Sequence, residues 1–203
     1  MALYSTTVWP NSFDDTSKTM RKQTKLWIGA GAVLAGMAII SSCSRSHAPL
    51  DTVTSVDLDK YEGRWYEISR LPQRFEKGCH CVYAEYKQNP DGYLEVHNYC
   101  RKGGPSGKLD KAEGKGFPVE GSNNSKLRVQ FFWPFRGDYW ILELDPDYQY
   151  AMVGSPDRES LWILSRTPKL DQDVMEQLVQ LAEQKGFPVE RLLLTDQSCF
   201  TQE

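Results

Sequence analysis

The sequence lacks several features that would assign it to a large class of proteins. Its 203 residues carry a formal net charge of −3, so there is no surplus of positive charge for binding nucleic acid. A G-x-S-x-G nucleophile elbow is also absent, since Gly154-Ser155-Pro156 does not fit that pattern. These absences argue against a nucleic-acid-binding protein and against a serine hydrolase of that type.

The longest uncharged apolar run is too short for a transmembrane helix. It covers residues 26–40, about 15 residues against the roughly 20 that span a bilayer, and it follows Arg21, Lys22 and Lys25. A basic segment before a short apolar run is typical of a secretory signal. We therefore predict export, with the signal peptide at residues 20–42. Residues 1–19 are then either a wrongly chosen start or a disordered extension.

The cysteines agree with export. Ile40-Ser41-Ser42-Cys43 resembles the lipobox of bacterial lipoproteins, and ordinary cleavage that leaves Cys43 as a free thiol is the alternative. The other four cysteines, an even number in an exported chain, predict two disulfides. A zinc site at Cys79-His80-Cys81 is a weaker alternative, because its spacing is unusual. We expect no metal and no cofactor.

The central part of the chain alternates apolar and polar residues with the period of a β-strand. Residues 81–100 alternate on both sides of Asn89-Pro90-Asp91-Gly92, which predicts a hairpin. Together with a strand around Trp65, the pattern gives eight strands, and eight sequential strands indicate an all-β, antiparallel up-and-down barrel. The five later strands are predicted at residues 111–118, 126–132, 139–144, 150–153 and 161–165.

A single segment has the periodicity of a helix. Residues 171–185 place apolar side chains at helical spacing, Asp171 can cap the start, and Gly186 can end the helix. We expect this helix to pack outside the barrel on Tyr66 and Ile68. Residues 43–56 are polar and predict a tether, and residues 57–203 are long enough for one domain.

Three motifs in order carry a resemblance to a known family. They are Gly63-Arg64-Trp65-Tyr66-Glu67, residues 145–153 (DPDYQYAMV) and residues 161–166 (LWILSR). With local matches at residues 75–78, 131–135 and 195–197, the chain resembles the lipocalin family from Asp57 to about Cys199. More narrowly, it is similar to the bacterial lipocalins that are outer-membrane lipoproteins.

The resemblance implies roles for particular residues. Arg166 would pack over the indole of Trp65 at the closed end of the barrel, and Gly63 would let the chain pass beside them, so this group is structural. The resemblance also implies the disulfides Cys81–Cys199 and Cys79–Cys100. The residues alone leave open a pairing of Cys81 with Cys100 across the hairpin.

The same resemblance implies a place in the cell. Cys43 would be the acylated N-terminus of the mature protein, so the membrane partner would be reached through a lipid anchor. Ser44 is not the aspartate associated with retention in the inner membrane, which favours the outer membrane, with the domain in the periplasm. The sequence leaves a homodimer open.

The interior of the barrel is the predicted binding site. An eight-stranded barrel either fills itself with side chains or holds one small ligand. The lining predicted from alternation is mostly apolar, which suits a fatty acid or a lysophospholipid. Tyr86, Asn98, Phe132 and Trp133 are expected nearer the head group or the mouth. The predicted ligand contacts are Glu67, Ser69, Val82, Ala84, Tyr86, Val96, Asn98, Val129, Phe131 and Trp162.

Two other functions compete with a binding protein. Some barrels of this family act on lipids or pigments, and Glu67 is the one buried acid that could serve as a general base, although a structural role is favoured. The third interpretation is an interaction protein whose barrel is a filled scaffold. We predict a binding protein rather than an enzyme.

Overall fold

The computed structural model describes residues 47–200, so the predictions for the signal peptide and Cys43 lie outside the described residues. The described part contains an eight-stranded antiparallel barrel in which each strand pairs with the next and β1 pairs with both β8 and β2. The barrel is therefore closed, as predicted. Its strands are β1 (Gly63–Arg70), β2 (Cys79–Asn89), β3 (Tyr93–Lys102), β4 (Lys108–Pro118), β5 (Lys126–Phe132), β6 (Phe135–Leu144), β7 (Tyr150–Gly154) and β8 (Leu161–Ser165).

The turn between β2 and β3 shows why the sequence fixes this register. Gly92 has a φ of 84°, which glycine adopts without steric cost, and its N–H donates to the carbonyl of Asn89 at 2.9 Å. The carboxamide of Asn89 accepts a second bond from the N–H of Asp91. The hairpin then pairs Tyr86 with Val96 and Ala84 with Asn98, so their side chains share the inner face.

Helix α2 (Gln172–Gln184) packs outside the barrel. Asp171 accepts a hydrogen bond from the N–H of Asp173, and Gly186 follows the helix with a φ of 84°, as the sequence predicts. Leu178 and Ala182 are buried in a cluster that includes Met152 and Ile163.

The predicted partners of this helix need one correction. Ile68 is packed against the helix cluster, but Tyr66 lies elsewhere, against Tyr83 and Phe200. The described chain also contains short helical segments that the sequence analysis missed: α1 (Leu58–Tyr61) and 3₁₀ helices at Arg74–Glu76, Val189–Arg191 and Ser198–Phe200. Segments of three or four residues are too short to show a helical period. No helix among residues 47–200 is long and apolar enough to cross a membrane.

The segment before the barrel corrects the predicted tether. From Ala48 onward the chain lies on the barrel, with Leu50 and Val56 buried. The N–H of Val53 donates to the carbonyl of Ile141 at 3.0 Å, and that of Val56 to the carbonyl of Asn123 at 2.9 Å. Because this segment makes backbone hydrogen bonds and buries side chains, it is part of the domain.

The C-terminal tail completes the barrel wall. Strands β1 and β2 pair only from Gly63 to Tyr66, and beyond that point β1 pairs with the two-residue strand β9 (Leu193–Leu194). The carboxamide of Gln197 donates to the carbonyls of Glu67 and Val82, each at 2.7 Å, and so bridges the two diverging strands.

Both disulfides implied by the resemblance are present. Cys81 is bonded to Cys199, which attaches the tail to β2, and Cys79 is bonded to Cys100 across the hairpin. The alternative pairing of Cys81 with Cys100 is therefore wrong. A bulge between His80 and Tyr83, where Cys81 has a φ of 53°, changes which cysteine faces β3. The zinc alternative also fails, because both of its thiols are oxidised.

Candidate functional site

The barrel encloses a cavity of about 600 Å³ that opens at one end. We call that end the mouth; it is formed by the loops at residues 71–78, 103–107, 133–134 and 155–160. The opposite end, where β1 begins, is the closed end. Apolar side chains make up much of the wall: Val82, Ala84, Val96, Val129, Phe131, Val153, Trp162 and Leu164.

Nine of the ten side chains predicted to contact ligand lie on this wall. They are Glu67, Val82, Ala84, Tyr86, Val96, Asn98, Val129, Phe131 and Trp162, and their contact with a ligand stays a prediction. Ser69 does not line the cavity; its hydroxyl donates to the carbonyl of Leu193 at 3.0 Å. The cause is a bulge between Glu67 and Ser69, which breaks the period-two alternation. Arg70 instead lies beside Glu67.

The closed end is sealed by Arg166. Its guanidinium carbon lies 3.9 Å from the centre of the Trp65 ring. The guanidinium also donates to four backbone carbonyls, at 2.6 to 3.1 Å: those of Lys60, Glu62, Arg64 and Tyr148. Gly63 has a φ of 88°, and a Cβ there would lie 3.5 Å from Arg166 Nη1. The geometry confirms the implied stack and explains why this position favours glycine.

Three tyrosine hydroxyls form the floor above this stack. The hydroxyl of Tyr139 lies 2.8 Å from that of Tyr61 and 3.0 Å from that of Tyr86. Burial raises the pKa of Tyr86 to about 12 and raises those of Tyr61 and Tyr139 well above their ordinary value, so all three stay neutral. The expectation that Tyr86 lies nearer the mouth is wrong: it pairs with Gly63, at the start of β1. Asn98 lies opposite Ala84.

A buried acidic pair lies in the upper part of the wall. Arg70 Nε is 3.1 Å from Glu67 Oε1 and 3.2 Å from Glu76 Oε2, and the Trp162 indole N–H points at the Glu76 carboxylate. The hydroxyl of Thr195 also donates to Glu67. Burial, reinforced by the charge of Glu76, raises the pKa of Glu67 to about 8, and burial raises the pKa of Glu76 as well. One arginine faces two carboxylates, so the pair keeps a proton at neutral pH.

The mouth carries exposed aromatic side chains. Phe132 and Trp133 are 78% and 86% exposed, and they lie at the mouth, as expected. Phe75 and Phe135, 64% and 78% exposed, join Phe132 on the edge of the cavity. We call Phe75, Phe132, Trp133 and Phe135 the aromatic rim.

Several wall residues were missed by sequence reasoning. Tyr139 could have been found by extending the alternation of β6 back from Ile141. Glu76 and Phe75 lie on a short 3₁₀ helix between strands, where no sequence period assigns a direction to a side chain. Arg70, which contacts Glu67 without lining the cavity, is brought there by the bulge, and the residue types of β1 do not predict that bulge.

Comparisons with known proteins agree with this architecture. A family model described as "Lipocalin-like domain" matches residues 56–197. Outer membrane lipoprotein Blc of Vibrio cholerae is 36% identical over 162 residues, covering 78% of this chain and 93% of that protein. Temperature-induced lipocalin-1 of Arabidopsis thaliana is 38% identical over 157 residues, covering 73% and 83%.

The fold comparison points the same way. The structure of insecticyanin from the tobacco hornworm Manduca sexta superposes with a TM-score of 0.59 at 22% identity, covering 74% of this chain and 86% of that one. That likeness concerns the fold, and the sequence matches concern the family. The chain therefore belongs to the lipocalin family.

Proposed function

We propose that the protein is a lipid-anchored binding protein of the outer membrane that holds a fatty acid or a lysophospholipid in its barrel. The observation that carries this proposal is the cavity, closed at one end by Arg166 and open at the other. Its volume of about 600 Å³ is within the range of ligand sites, roughly 300 to 1,000 Å³. An apolar wall with few polar groups suits an acyl chain.

The charges on the wall favour a lysophospholipid over an ionised fatty acid. Among the described lining residues, Arg136 is the one basic side chain, whereas Glu67, Glu76, Asp138 and Asp157 are acidic. Arg70 lies against the two glutamates, so its charge is already engaged. A bare carboxylate drawn into the cavity would therefore find no free cation in the upper wall, because Arg70 balances the single charge that the proton-sharing glutamates keep. A lysophospholipid can leave its charged head at the mouth.

The sequence and the relatives support the membrane anchor. Cys43 follows a lipobox-like segment, and Outer membrane lipoprotein Blc of Escherichia coli is 37% identical over 163 residues. One acyl chain binds a membrane only marginally, whereas several give stable anchoring. Acylated Cys43, with Ser44 after it, would place the protein on the outer membrane and its domain in the periplasm.

The two competing functions receive less support. Glu67, the acid considered as a general base, is held by Arg70 and Thr195, which suits a structural group. A barrel that served only as a scaffold would be filled by its own side chains, and this one contains a cavity.

Filling the cavity tests the proposal. Ala84 lines the cavity wall and is paired with Trp65 on the neighbouring strand. Ala84→Trp would therefore put an indole where the acyl chain lies. Calorimetric titration with palmitoyl lysophosphatidylethanolamine should show binding at least about tenfold weaker, a loss of about 1.4 kcal/mol or more. Lys87→Trp adds the same side chain to an exposed position of the same strand and should bind as the parent does.

One result of this titration would refute the proposed binding site. If folded Ala84→Trp bound the lysophospholipid as tightly as the parent, the cavity would not be the binding site. Native mass spectrometry of the protein extracted from its own membrane would identify the bound lipid.

A further inference from the structure

Large apolar side chains exposed to solvent are unevenly distributed over the barrel. The aromatic rim lies at the mouth, and Leu109 and Leu194 lie on strands near their mouth ends. None of the exposed large apolar residues in the described chain lies in the turns of the closed end. An aromatic group that includes an exposed tryptophan is typical of side chains that sit at a membrane–water interface.

Charged side chains are also distributed unevenly between the mouth and the closed end. The mouth loops and adjoining strand ends carry Glu76, Asp157 and Glu159 against a larger basic set: Arg70, Arg74, Lys77, Arg101, Lys102, Lys108, Arg136 and Arg158. The closed end carries Lys60, Arg64, Lys126, Arg166 and Lys169 against a larger acidic set: Asp57, Asp59, Glu62, Asp91, Glu120, Glu143, Asp145 and Asp147. Basic residues near an anionic lipid surface are attracted to it. The mouth is thus the end that such a surface attracts.

The path of the N-terminal segment gives an independent constraint. The carbonyl of Ala48 accepts a hydrogen bond of 2.7 Å from Arg158, which lies in a mouth loop. From there the chain runs to Val56, bonded to Asn123 in a closed-end turn. Residues 48–56 thus run from the mouth to the closed end. Cys43 is five residues before Ala48, a reach of about 17 Å at most.

That reach restricts how an anchored protein can be oriented. If the closed end faced the membrane, the chain between Cys43 and Ala48 would have to run back along the length of the barrel. In the structure, residues 48–56 are needed to cover that distance. Five residues are too few for that path. They do allow the membrane surface to lie at the mouth.

We infer that the mouth of the barrel docks on the lipid surface that holds Cys43, with the aromatic rim inserted at the interface, so that the cavity opens directly onto the membrane. This inference rests on the proposed lipid anchor. A ligand then exchanges between bilayer and cavity without crossing bulk water. The rim explains why four aromatic side chains stay exposed around an apolar cavity.

Lipid-contact quenching of tryptophan fluorescence tests the orientation. The full-length lipoprotein is reconstituted into vesicles of phosphatidylethanolamine and phosphatidylglycerol whose acyl chains are brominated, and compared with unbrominated vesicles. We expect quenching in the parent and its loss in Trp133→Phe, because Trp133 is the exposed tryptophan of the rim. A closed-end reporter, Asp91→Trp in the Trp133→Phe background, should not be quenched.

The other outcomes overturn the inference and identify what failed. Protein that floats with the vesicles, but whose Trp133 emission is insensitive to bromine, keeps the anchor and refutes the docked mouth. Quenching of the Asp91→Trp reporter refutes the orientation. A dimer in which Trp133 is shielded from both bromine and aqueous iodide assigns the rim to a second copy. Cys43→Ala protein that still floats removes the anchor and the inference with it, while ligand titration tests the cavity separately.

Discussion

The shared proton of the acidic pair predicts a pH dependence of stability that one substitution should remove. The pKa of Glu67 is about 8 in the folded protein and near 4.5 in an unfolded chain. Between these values the folded state binds one proton more than the unfolded state. The contribution of this group is therefore greatest at low pH and falls as the pH rises towards 8.

The magnitude follows from one proton. The free energy of unfolding should fall by up to about 1.4 kcal/mol per pH unit within this window. For a domain of this size, 1 kcal/mol shifts Tm by about 2 to 4 °C, so the expected slope is about 3 to 6 °C per pH unit. The groups that set the charge are Arg70, Glu76 and Thr195, which contact Glu67, and Trp162 and Lys102, which act on Glu76.

The assay is thermal unfolding by circular dichroism from pH 5.5 to 7.5. The free energy of unfolding of Glu67→Gln should depend less on pH than that of the parent. The difference in this free energy between the two proteins should change by about 2 to 3 kcal/mol across the range. Glu113→Gln is the control, because Lys111 lowers the pKa of Glu113 and keeps that group ionised throughout. Parallel profiles for the parent and Glu67→Gln would refute the shared proton.

Two further predictions concern the frame of the barrel. Arg166→Met removes the cation over Trp65, worth about 2 kcal/mol, and the donors to four carbonyls, so Tm in a calorimeter should fall by at least about 5 °C. Arg166→Lys should recover part of the loss, and an unchanged Tm in Arg166→Met would contradict the stack. Replacing both cysteines of Cys81–Cys199 by serine should lower the free energy of unfolding in urea by about 5 kcal/mol, against about 3 kcal/mol for Cys79–Cys100, because the sequence separations are 118 and 21 residues. Equal losses would argue against loop entropy as the cause.

The elements best predicted from sequence are those whose signal is local. The β2–β3 hairpin and α2 follow from turn residues, caps and period, so their existence and the inward direction of Ala84 and Val96 were correct. The cavity wall followed from the same alternation wherever a strand is regular.

The predictions fail where contacts between distant parts of the chain determine the position of a residue. The bulge in β1 turned Ser69 away from the cavity and placed Arg70 beside Glu67, and no residue type in β1 predicts it. Leu50 is buried in a cluster formed by helix α2 and the barrel, although no apolar period in the sequence around it predicts this. The position of Tyr86 along the barrel axis depends on its pairing with Gly63. The alternation of apolar and polar residues within one strand does not predict that pairing. Glu76 became a partner of Glu67 only through the path of a connecting loop.

The barrel wall between β1 and β2 is complete only when the C-terminal tail is in place. Residues 193–199 occupy the place where β1 and β2 part, and Gln197 and Cys199 bind them there. A chain that emerges N-terminus first would therefore expose the diverging edges of both strands, with a gap in the wall beside Glu67, until residues 193–199 arrive. Removal of the chain from residue 193 onward would leave those edges unpaired, and unpaired edges favour aggregation. Residues 193–199 thus determine whether the first two strands become part of a closed wall.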